Sequence, residues 1–245
     1  MRSVVAFNES WTFHEGFSPE DAARLQEGQS VTLPHTAVEL PFNYFDEKSY
    51  QRAFTYQKIV DWDEAFAGRE VSLIFDAAMA DAVVYLNGEE IVAHKDGYTP
   101  FGARLTGRLR SGVNLVTVVI DGSENPDIPP FGGRIDYLTY AGIYREASLR
   151  ITAPIWIGHP KIETPDVLAR SKTVTVRAEI NNLEGKPLSG TLTAAIKDRN
   201  GKPVGSVASE IDGKSISLTL SGLDGIELWD IDNPALYTLE MQLET

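Results

Sequence analysis

Hydrophobic and polar residues alternate with a period of two along most of this chain, which is typical of strands that bury one face. Valine, isoleucine, tyrosine, phenylalanine and threonine are frequent in these stretches, as half-buried pleated surfaces favour. The pattern therefore predicts an all-β protein. In the N-terminal part the clearest strands are predicted over 53–60, 70–76, 81–86, 114–121 and 144–151.

Local turn signals divide these strands. Asn87-Gly88 follows one predicted strand and precedes another apolar stretch, and it accepts positive φ at both positions, so a tight hairpin is expected. Ser18-Pro19-Glu20-Asp21 carries a helix-capping signature, which leaves two interpretations of residues 18–26: a two-turn helix or a surface turn. Residues 65–68 are expected to form a single turn.

The residue composition and the strand pattern of the chain change near Pro154. Beyond it aromatic residues become sparse, and roughly seven simple strands with regular turn signals predict an immunoglobulin-like sandwich. We therefore expect two domains, 1–153 and 154–245. No helices alternate with the strands, so neither a parallel α/β sheet nor an α/β barrel is encoded here. The strands of the second domain are predicted over 173–182, 190–197, 203–211, 214–220 and 236–244.

Composition narrows the function classes. Hydrophobic residues make up 42% of the chain, which suffices for a packed core. Cysteine is absent, which excludes disulfides and thiolate chemistry, and the net charge of −13 makes nucleic acid a poor partner. No apolar run is long enough to span a bilayer, so no membrane association is expected. We expect a cytoplasmic protein, or a periplasmic one if a signal peptide has been removed.

Motifs for cofactors and metals are missing from the sequence. The four histidines, His14, His35, His94 and His159, are far apart and follow no ligand spacing. The acidic stretch 121–127 has two interpretations, a hard-cation loop or a solvated turn, but it lacks the spacing of a calcium loop. Neither a nucleophile elbow nor a phosphate-binding glycine loop is present. We therefore expect no cofactor and no metal site.

Four ordered segments resemble one family. They are Leu33-Pro34-His35 about 20 residues after Trp11; Leu86-Asn87-Gly88 with His94 and Gly97-Tyr98-Thr99-Pro100-Phe101; Leu105-Thr106 with Gly112, Asn114-Leu115 and Val118; and Ala141-Gly142-Ile143-Tyr144-Arg145-Glu146. Together they resemble the sugar-binding jelly-roll domain of glycoside hydrolase family 2, the β-galactosidase/β-glucuronidase type. The resemblance covers about residues 1–153 and implies a galactose-binding-like jelly roll.

The second domain resembles the immunoglobulin-like sandwich that follows in that family, most clearly at Trp229, Pro234, Leu236 and Tyr237. In the family a catalytic barrel comes next and marks its general acid with an Asn-Glu pair. The one such pair here, Asn8-Glu9, lies at a strand start. The resemblance therefore implies a non-catalytic N-terminal region of a glycosidase, inactive by itself, whose partners are its own catalytic barrel and a β-galactoside or related carbohydrate.

Two loops are candidates for the rim of the sugar site. The resemblance places on one of them an acid, here Asp136, that meets sugar hydroxyls and a bound cation; Arg134 and Tyr137 accompany it. The alternative for this loop is a local Arg134–Asp136 ion pair that orders a surface loop. The other loop, 39–50, is aromatic and includes Asn43 and Tyr44 as candidate sugar-binding residues, because aromatic faces suit sugar C–H surfaces. Its alternative is a partly buried loop that packs under the jelly roll.

Two other functions stay open at this point. One is a free-standing carbohydrate-binding module, which a cluster of exposed aromatic residues would favour. The other is a structural, adhesin-like tandem of sandwiches, against which only the family resemblance argues.

Overall fold

The computed structural model describes residues 2–44, 46–129, 140–183, 185 and 188–245. Its internal contacts divide the chain into two compact units, Met1–Ala153 and Pro154–Thr245. The division lies where the residue composition changes, near Pro154. Both units are built from antiparallel strands. Within the described residues, helical structure is restricted to two single 3₁₀ turns, Glu47–Ser49 and Glu64–Phe66, so the all-β prediction is confirmed.

The first unit is a sandwich of two sheets. One sheet has the order β3-β2-β4-β9-β6-β7 and the other β1-β10-β5-β8. The strands are β1 (Ser3–Ala6), β2 (Trp11–Glu15), β3 (Gln29–Val31), β4 (Ala53–Asp61), β5 (Glu70–Phe75), β6 (Asp81–Leu86), β7 (Glu89–Lys95), β8 (Phe101–Arg104), β9 (Val113–Asp121) and β10 (Ala147–Thr152).

The core of this unit lies between its sheets. Alternation puts Ala82, Val84 and Leu86 of β6 inward, and they meet Leu73 and Phe75 from the opposite sheet. The sequence pattern predicts inward-facing, buried side chains at Trp11, Phe54, Tyr56, Phe75, Val84, Leu86, Leu115, Val118 and Ile143, and all of them are buried. Leu115 is buried outside this core cluster, because it lies three positions from Val118 in β9 and therefore on the opposite face of the strand, so its predicted inward face is wrong.

The capped segment at 18–26 is a series of turns. The Asp21 N–H donates to the Ser18 carbonyl and the Ala23 N–H to the Glu20 carbonyl, but no helix follows. The buried Gln57 side chain explains this, because its amide donates to the carbonyls of Asp21 (2.6 Å) and Arg24 (3.0 Å). Backbone groups that a helix would use internally are thus bound to the sheet, so of the two interpretations the turn is correct.

The hairpin at Asn87-Gly88 forms as predicted, with φ of 53° and 89°. Its geometry is fixed from outside the hairpin: the Asn87 amide donates to the Asn114 side chain (2.9 Å), and the Leu115 N–H donates to Asn87 Oδ1 (2.9 Å). Asn114 also donates to the Arg110 carbonyl (2.9 Å) and is fully buried. Two of the family-like segments are therefore joined by one buried hydrogen-bond network that holds the turn.

The second unit has seven strands among its described residues. β13 pairs with β16 on one edge and with β11 and then β12 on the other, while β14 lies between β15 and β17. Inward alternation on β14 places Leu192, Ala194 and Ile196 in a separate core. The strands are β11 (Ile155–Ile157), β12 (Lys161–Glu163), β13 (Lys172–Asn182), β14 (Thr191–Lys197), β15 (Pro203–Glu210), β16 (Ser215–Leu223) and β17 (Thr238–Glu244).

Candidate functional site

The two candidate rim loops share a common base. We refer to the candidate loop at residues 39–50 as the first rim loop and to the candidate loop that contains Asp136, residues 126–140, as the second rim loop. At one side the Ala37 N–H donates to the Ala141 carbonyl (3.0 Å) and the His35 N–H to the Ile143 carbonyl (2.9 Å). At the other side the Gly122 N–H donates to the Arg52 carbonyl (3.0 Å). The described ends of the two loops are therefore neighbours.

The first rim loop has packed ends and an exposed tip. Val38 and Leu40 pack against the core of unit 1, and Tyr50 is buried at the other end. Between them, Phe42 and Tyr44 are 98% and 102% exposed. Asn43 between them is exposed as well. The loop thus combines both sequence interpretations: its ends pack under the jelly roll, while its tip presents two aromatic side chains and an amide to solvent.

The second rim loop is described only at its ends. Arg134, Asp136 and Tyr137 lie outside the described residues, so their role stays a prediction. At the entry, Ile128 is buried and its N–H donates to the Asn125 carbonyl (3.0 Å). At the exit, Tyr140 is half-exposed, and the next residue, Ala141, is fully buried. The described ends are thus anchored in unit 1.

Gly142 fixes the exit of the second rim loop. Its N–H and carbonyl both bond to Met79 (3.1 and 2.9 Å), and its φ is 108°. A Cβ at this position would lie 2.7 Å from each of the Ala37 nitrogen, the His35 carbonyl oxygen and the Tyr56 hydroxyl. Glycine is therefore required here twice, by backbone conformation and by close approach. This explains the Ala-Gly-Ile sequence of the fourth family-like segment.

His35 and Tyr56 lie beneath this base. The Nδ1 atom of His35 is 2.9 Å from the Tyr56 hydroxyl, and Phe13 packs against both rings. Burial lowers the pKa of His35, which Glu39 on the first rim loop partly opposes. Burial also raises the pKa of Tyr56 well above its ordinary value, against a hydrogen bond with the Ile143 backbone. The pair is therefore neutral at pH 7, and it connects the two loop bases through hydrogen bonds between uncharged groups.

This pair predicts a pH dependence of stability. The folded-state pKa of His35 is below that of the unfolded chain, so the unfolded chain binds the proton more readily. Stability should be constant above about pH 6.5 and fall as the pH drops below that value toward the folded pKa. The slope should stay well under about 1.4 kcal/mol per pH unit, because the ring is half-buried. Urea denaturation of the chain and of His35→Gln between pH 5 and 8 checks this. Identical slopes in this window would contradict it.

The other family-like segments also meet in space. The Tyr144 hydroxyl donates to the Gly97 carbonyl. His94 stacks on Phe101 at 4.5 Å between ring centroids, with its Nε2 atom 3.1 Å from the Thr99 hydroxyl. His94 is therefore engaged in structural contacts. These contacts connect the second and fourth family-like segments, and the side chains of Tyr144 and His94 are used to hold them together.

Groups of three or more histidine or acidic side chains able to hold a metal ion do not occur among the described residues. The same part of the chain contains no helix with the length and apolar character needed to cross a membrane.

The family profile described as "Glycosyl hydrolases family 2, sugar binding domain" matches residues 24–154, and "Glycosyl hydrolases family 2" matches residues 157–245. The chain belongs to glycoside hydrolase family 2. The β-galactosidase of Rhizobium meliloti is 48% identical over 100% of this chain and 32% of its own length. The β-galactosidase of Thermoanaerobacterium thermosulfurigenes is 39% identical over 100% of this chain and 35% of its own.

Structural comparison agrees with this family assignment. The crystal structure of a putative β-galactosidase from Bacteroides fragilis matches with a TM-score of 0.87 and 26% identity, over 100% of this chain and 39% of that one. The chain thus spans about a third of the curated relatives it matches. It corresponds to the non-catalytic N-terminal region of these family 2 enzymes, a jelly roll followed by an immunoglobulin-like sandwich.

Two residues at the candidate site of this family 2 region, Phe42 and His35, are not predicted from the sequence as site residues. Phe42 is as exposed as Tyr44 and lies two residues before it, and its position in an aromatic, proline-containing loop is a signal that could have identified it. His35 follows no metal-ligand spacing in the sequence, yet it joins the bases of both rim loops. Its pairing with Tyr56 has no local sequence signal.

Proposed function

We propose that this chain completes the sugar site of a family 2 β-galactosidase by contributing the two rim loops, and that it packs on the catalytic barrel of the same polypeptide. The shared base of the loops is the observation that carries the proposal. Because Ala37 bonds to Ala141 and Gly122 to Arg52, the described ends of the two loops lie side by side in the jelly roll. A ligand near these ends can therefore contact both loops at once.

The chemistry of the loops suits a neutral sugar. Tyr44 and Phe42 offer aromatic faces for sugar C–H groups, and Asn43 offers an amide that both donates and accepts hydrogen bonds. In the proposal, Asp136 accepts hydrogen bonds from sugar hydroxyls, with Arg134 and Tyr137 beside it. A β-galactoside is the proposed substrate class because the relatives at 48% and 39% identity are named β-galactosidases.

The chain's own contribution in this proposal is binding and orientation. The carboxylate pair for glycoside hydrolysis would belong to the barrel, so the loops act on the reaction by fixing where the sugar lies. Rigid loop bases serve this purpose, because the hydrogen bonds at Ala37, Gly122 and Gly142 limit movement of the loop ends.

One variant on each loop tests the proposal in the full-length enzyme. Asp136→Ala should lower kcat/KM by about 1.5–3 kcal/mol, the value of a charge-assisted hydrogen bond, and Tyr44→Ala should lower it by less. If both side chains contact one sugar, the double variant should depart from additivity by at least about 0.5 kcal/mol. Steady-state kinetics with an aryl β-galactoside on the four enzymes measures this.

Asp127→Ala is the matched control, because it removes an exposed acid from the same loop near its anchored entry. It should leave kcat/KM unchanged. Normal kinetics in both Asp136→Ala and Tyr44→Ala would show that the loops are scaffolding and would refute their role in the sugar site. Titration of the isolated chain with galactosides separates the alternative of a free-standing binding module, which requires saturable binding without the barrel.

A further inference from the structure

The outer face of the smaller sheet of unit 1 contains a cavity of about 420 Å³, which we call the hollow. Directly opposite residues of antiparallel strands share a face, so the strand register defines the rows of side chains around it. The middle row runs across β1, β10, β5 and β8 and consists of Ala6, Ser148, Ile74 and Gly102. Three of these four side chains are small, so the face is sunken along this row.

One side of the hollow is basic. Arg2 and Arg150 line it, and burial together with the neighbouring charge of Arg2 lowers the pKa of Arg150, against an opposite effect of Glu70. Glu70 is already engaged, because both of its carboxylate oxygens accept hydrogen bonds from Arg104 (3.0 and 3.1 Å). Within the described part of the chain, neither Arg2 nor Arg150 forms an ion pair. Three arginines thus share one carboxylate in a chain of net charge −13, which leaves positive charge that a bound anion would balance.

The opposite side of the hollow is acidic. Asp76 and Glu146 line it, both side chains are exposed, and the Asp76 N–H donates to the Glu146 carbonyl (3.0 Å), which holds the two residues together. Glu146 lies four residues before Arg150, so in extended chain their backbone positions are about 13 Å apart. A ligand can therefore place an anionic group at the arginines without bringing it against the two acids.

These groups define the chemistry of a ligand. Guanidinium groups bind a carboxylate or a sulfate through paired N–H donors. Ionised carboxylates accept hydrogen bonds only, so the acidic side suits hydroxyl groups, which donate them. The volume of the hollow lies within the range of about 300–1,000 Å³ that is typical of small-molecule sites. A neutral sugar would leave the arginines unbalanced, and a simple inorganic anion would leave the acidic side unused.

We propose that the hollow is a binding site for an acidic saccharide, a sugar unit that carries a carboxylate or a sulfate group. The anionic group lies between Arg2 and Arg150, and hydroxyl groups of the sugar donate to Asp76 and Glu146. The described residues that line the hollow belong to neither rim loop, so this site goes beyond the proposed function and does not depend on it.

Calorimetric titration of the 245-residue chain with matched probes tests the proposal. Galacturonate and galactose differ only at the acidic group, and galactose 6-sulfate replaces the carboxylate by a sulfate. At least one of the two acidic sugars should bind saturably, and Arg150→Ala and Arg2→Ala should each weaken that binding at least about tenfold, because each removes a charge-assisted hydrogen bond. Any binding of galactose should be unchanged by these substitutions. The tighter of the two acidic sugars identifies the anionic group.

Three further variants separate the site from general electrostatic attraction. Arg108→Ala is the matched control, because it removes an exposed arginine of unit 1 that does not line the hollow, and it should leave binding unchanged. Ala6→Trp fills the middle row without a change of charge and should abolish binding. The midpoint of thermal unfolding should stay unchanged in Ala6→Trp, because Ala6 is exposed. Glu146→Ala should weaken binding of the acidic sugar but not of inorganic sulfate.

Several results would overturn the site. Saturable binding of neither acidic sugar would do so, as would equal losses in Arg108→Ala and Arg150→Ala, which would show that only net charge matters. Inorganic sulfate that binds as tightly as the acidic sugar would show an unspecific anion site. The full-length enzyme should bind the acidic sugar with the same response to Arg150→Ala, and loss of binding there would show that protein covers the hollow. The kinetics of Asp136→Ala are independent of these outcomes, so failure of the sugar-site proposal is recognised separately.

Discussion

Replacement of Gly142 by alanine is expected to destabilise unit 1 strongly. Its φ of 108° costs a residue with a Cβ about 1–3 kcal/mol. The new methyl group would also lie 2.7 Å from two backbone atoms and from the Tyr56 hydroxyl, none of which is the end of a flexible chain. Relief of that overlap adds about 1–3 kcal/mol. Urea denaturation of the 245-residue chain measures the sum.

Gly112→Ala separates conformational strain from overlap. Gly112 has a φ of 84°, but a Cβ there would meet no atom within 4 Å, so only the strain contribution should appear. In the full-length enzyme, Gly142→Ala should also lower kcat/KM, because the Ala37–Ala141 and His35–Ile143 hydrogen bonds at the loop base are displaced. Equal losses of stability for the two variants would show that the close packing around Gly142 relaxes at little cost.

The long strands could be predicted from the sequence because their alternation extends over six or more residues. The prediction for β6 is correct to the residue, and those for β4, β5 and β9 are correct within one residue at each end. Strands of three or four residues, such as β3 and β11, contain too few positions to define a period. They are formed by hydrogen bonds to partners that are distant in sequence, so local patterns cannot reveal them.

The segment at 18–26 shows how tertiary contacts override local signals. The capping residue, the proline and the acid at its start all favour a helix. Gln57 instead binds two backbone carbonyls of this segment and accepts a hydrogen bond from the Gln26 N–H (2.8 Å). That glutamine lies in β4, far along the chain, and its burial makes these hydrogen bonds strong competitors.

The candidate site could be predicted only in part for a similar reason. Loop composition and family resemblance indicate the two candidate rim loops, and the structure adds that Tyr44 at the tip of the first is exposed. That the loops have a common base depends on the contact between Ala37 and Ala141, and no local sequence signal predicts that these two residues meet. The placement of Asp136, Arg134 and Tyr137 around a sugar stays a prediction.

Trp11→Ala is the second change with a large expected effect. The indole is completely buried between the two sheets of unit 1, in contact with Phe7 and Phe75, and its Nε1–H donates to the Phe7 carbonyl (2.8 Å). Truncation removes this packing at a cost of about 3–5 kcal/mol. It also leaves a buried carbonyl without its partner. A domain with a total stability of about 5–15 kcal/mol would lose a large share of it.

The loss should be confined to unit 1, because each core cluster is composed of residues from one unit only. Hydrogen exchange of Trp11→Ala should therefore accelerate in β2, β4 and β9 and stay unchanged in β13 and β14. Leu192→Ala, at a fully buried position of the second core, is the matched control and should produce the reverse pattern. Trp11→Phe keeps most of the ring and loses the indole donor, so its cost should be intermediate. If either alanine variant accelerates exchange equally in both units, the two cores unfold together and the division at Pro154 does not separate independent folding units.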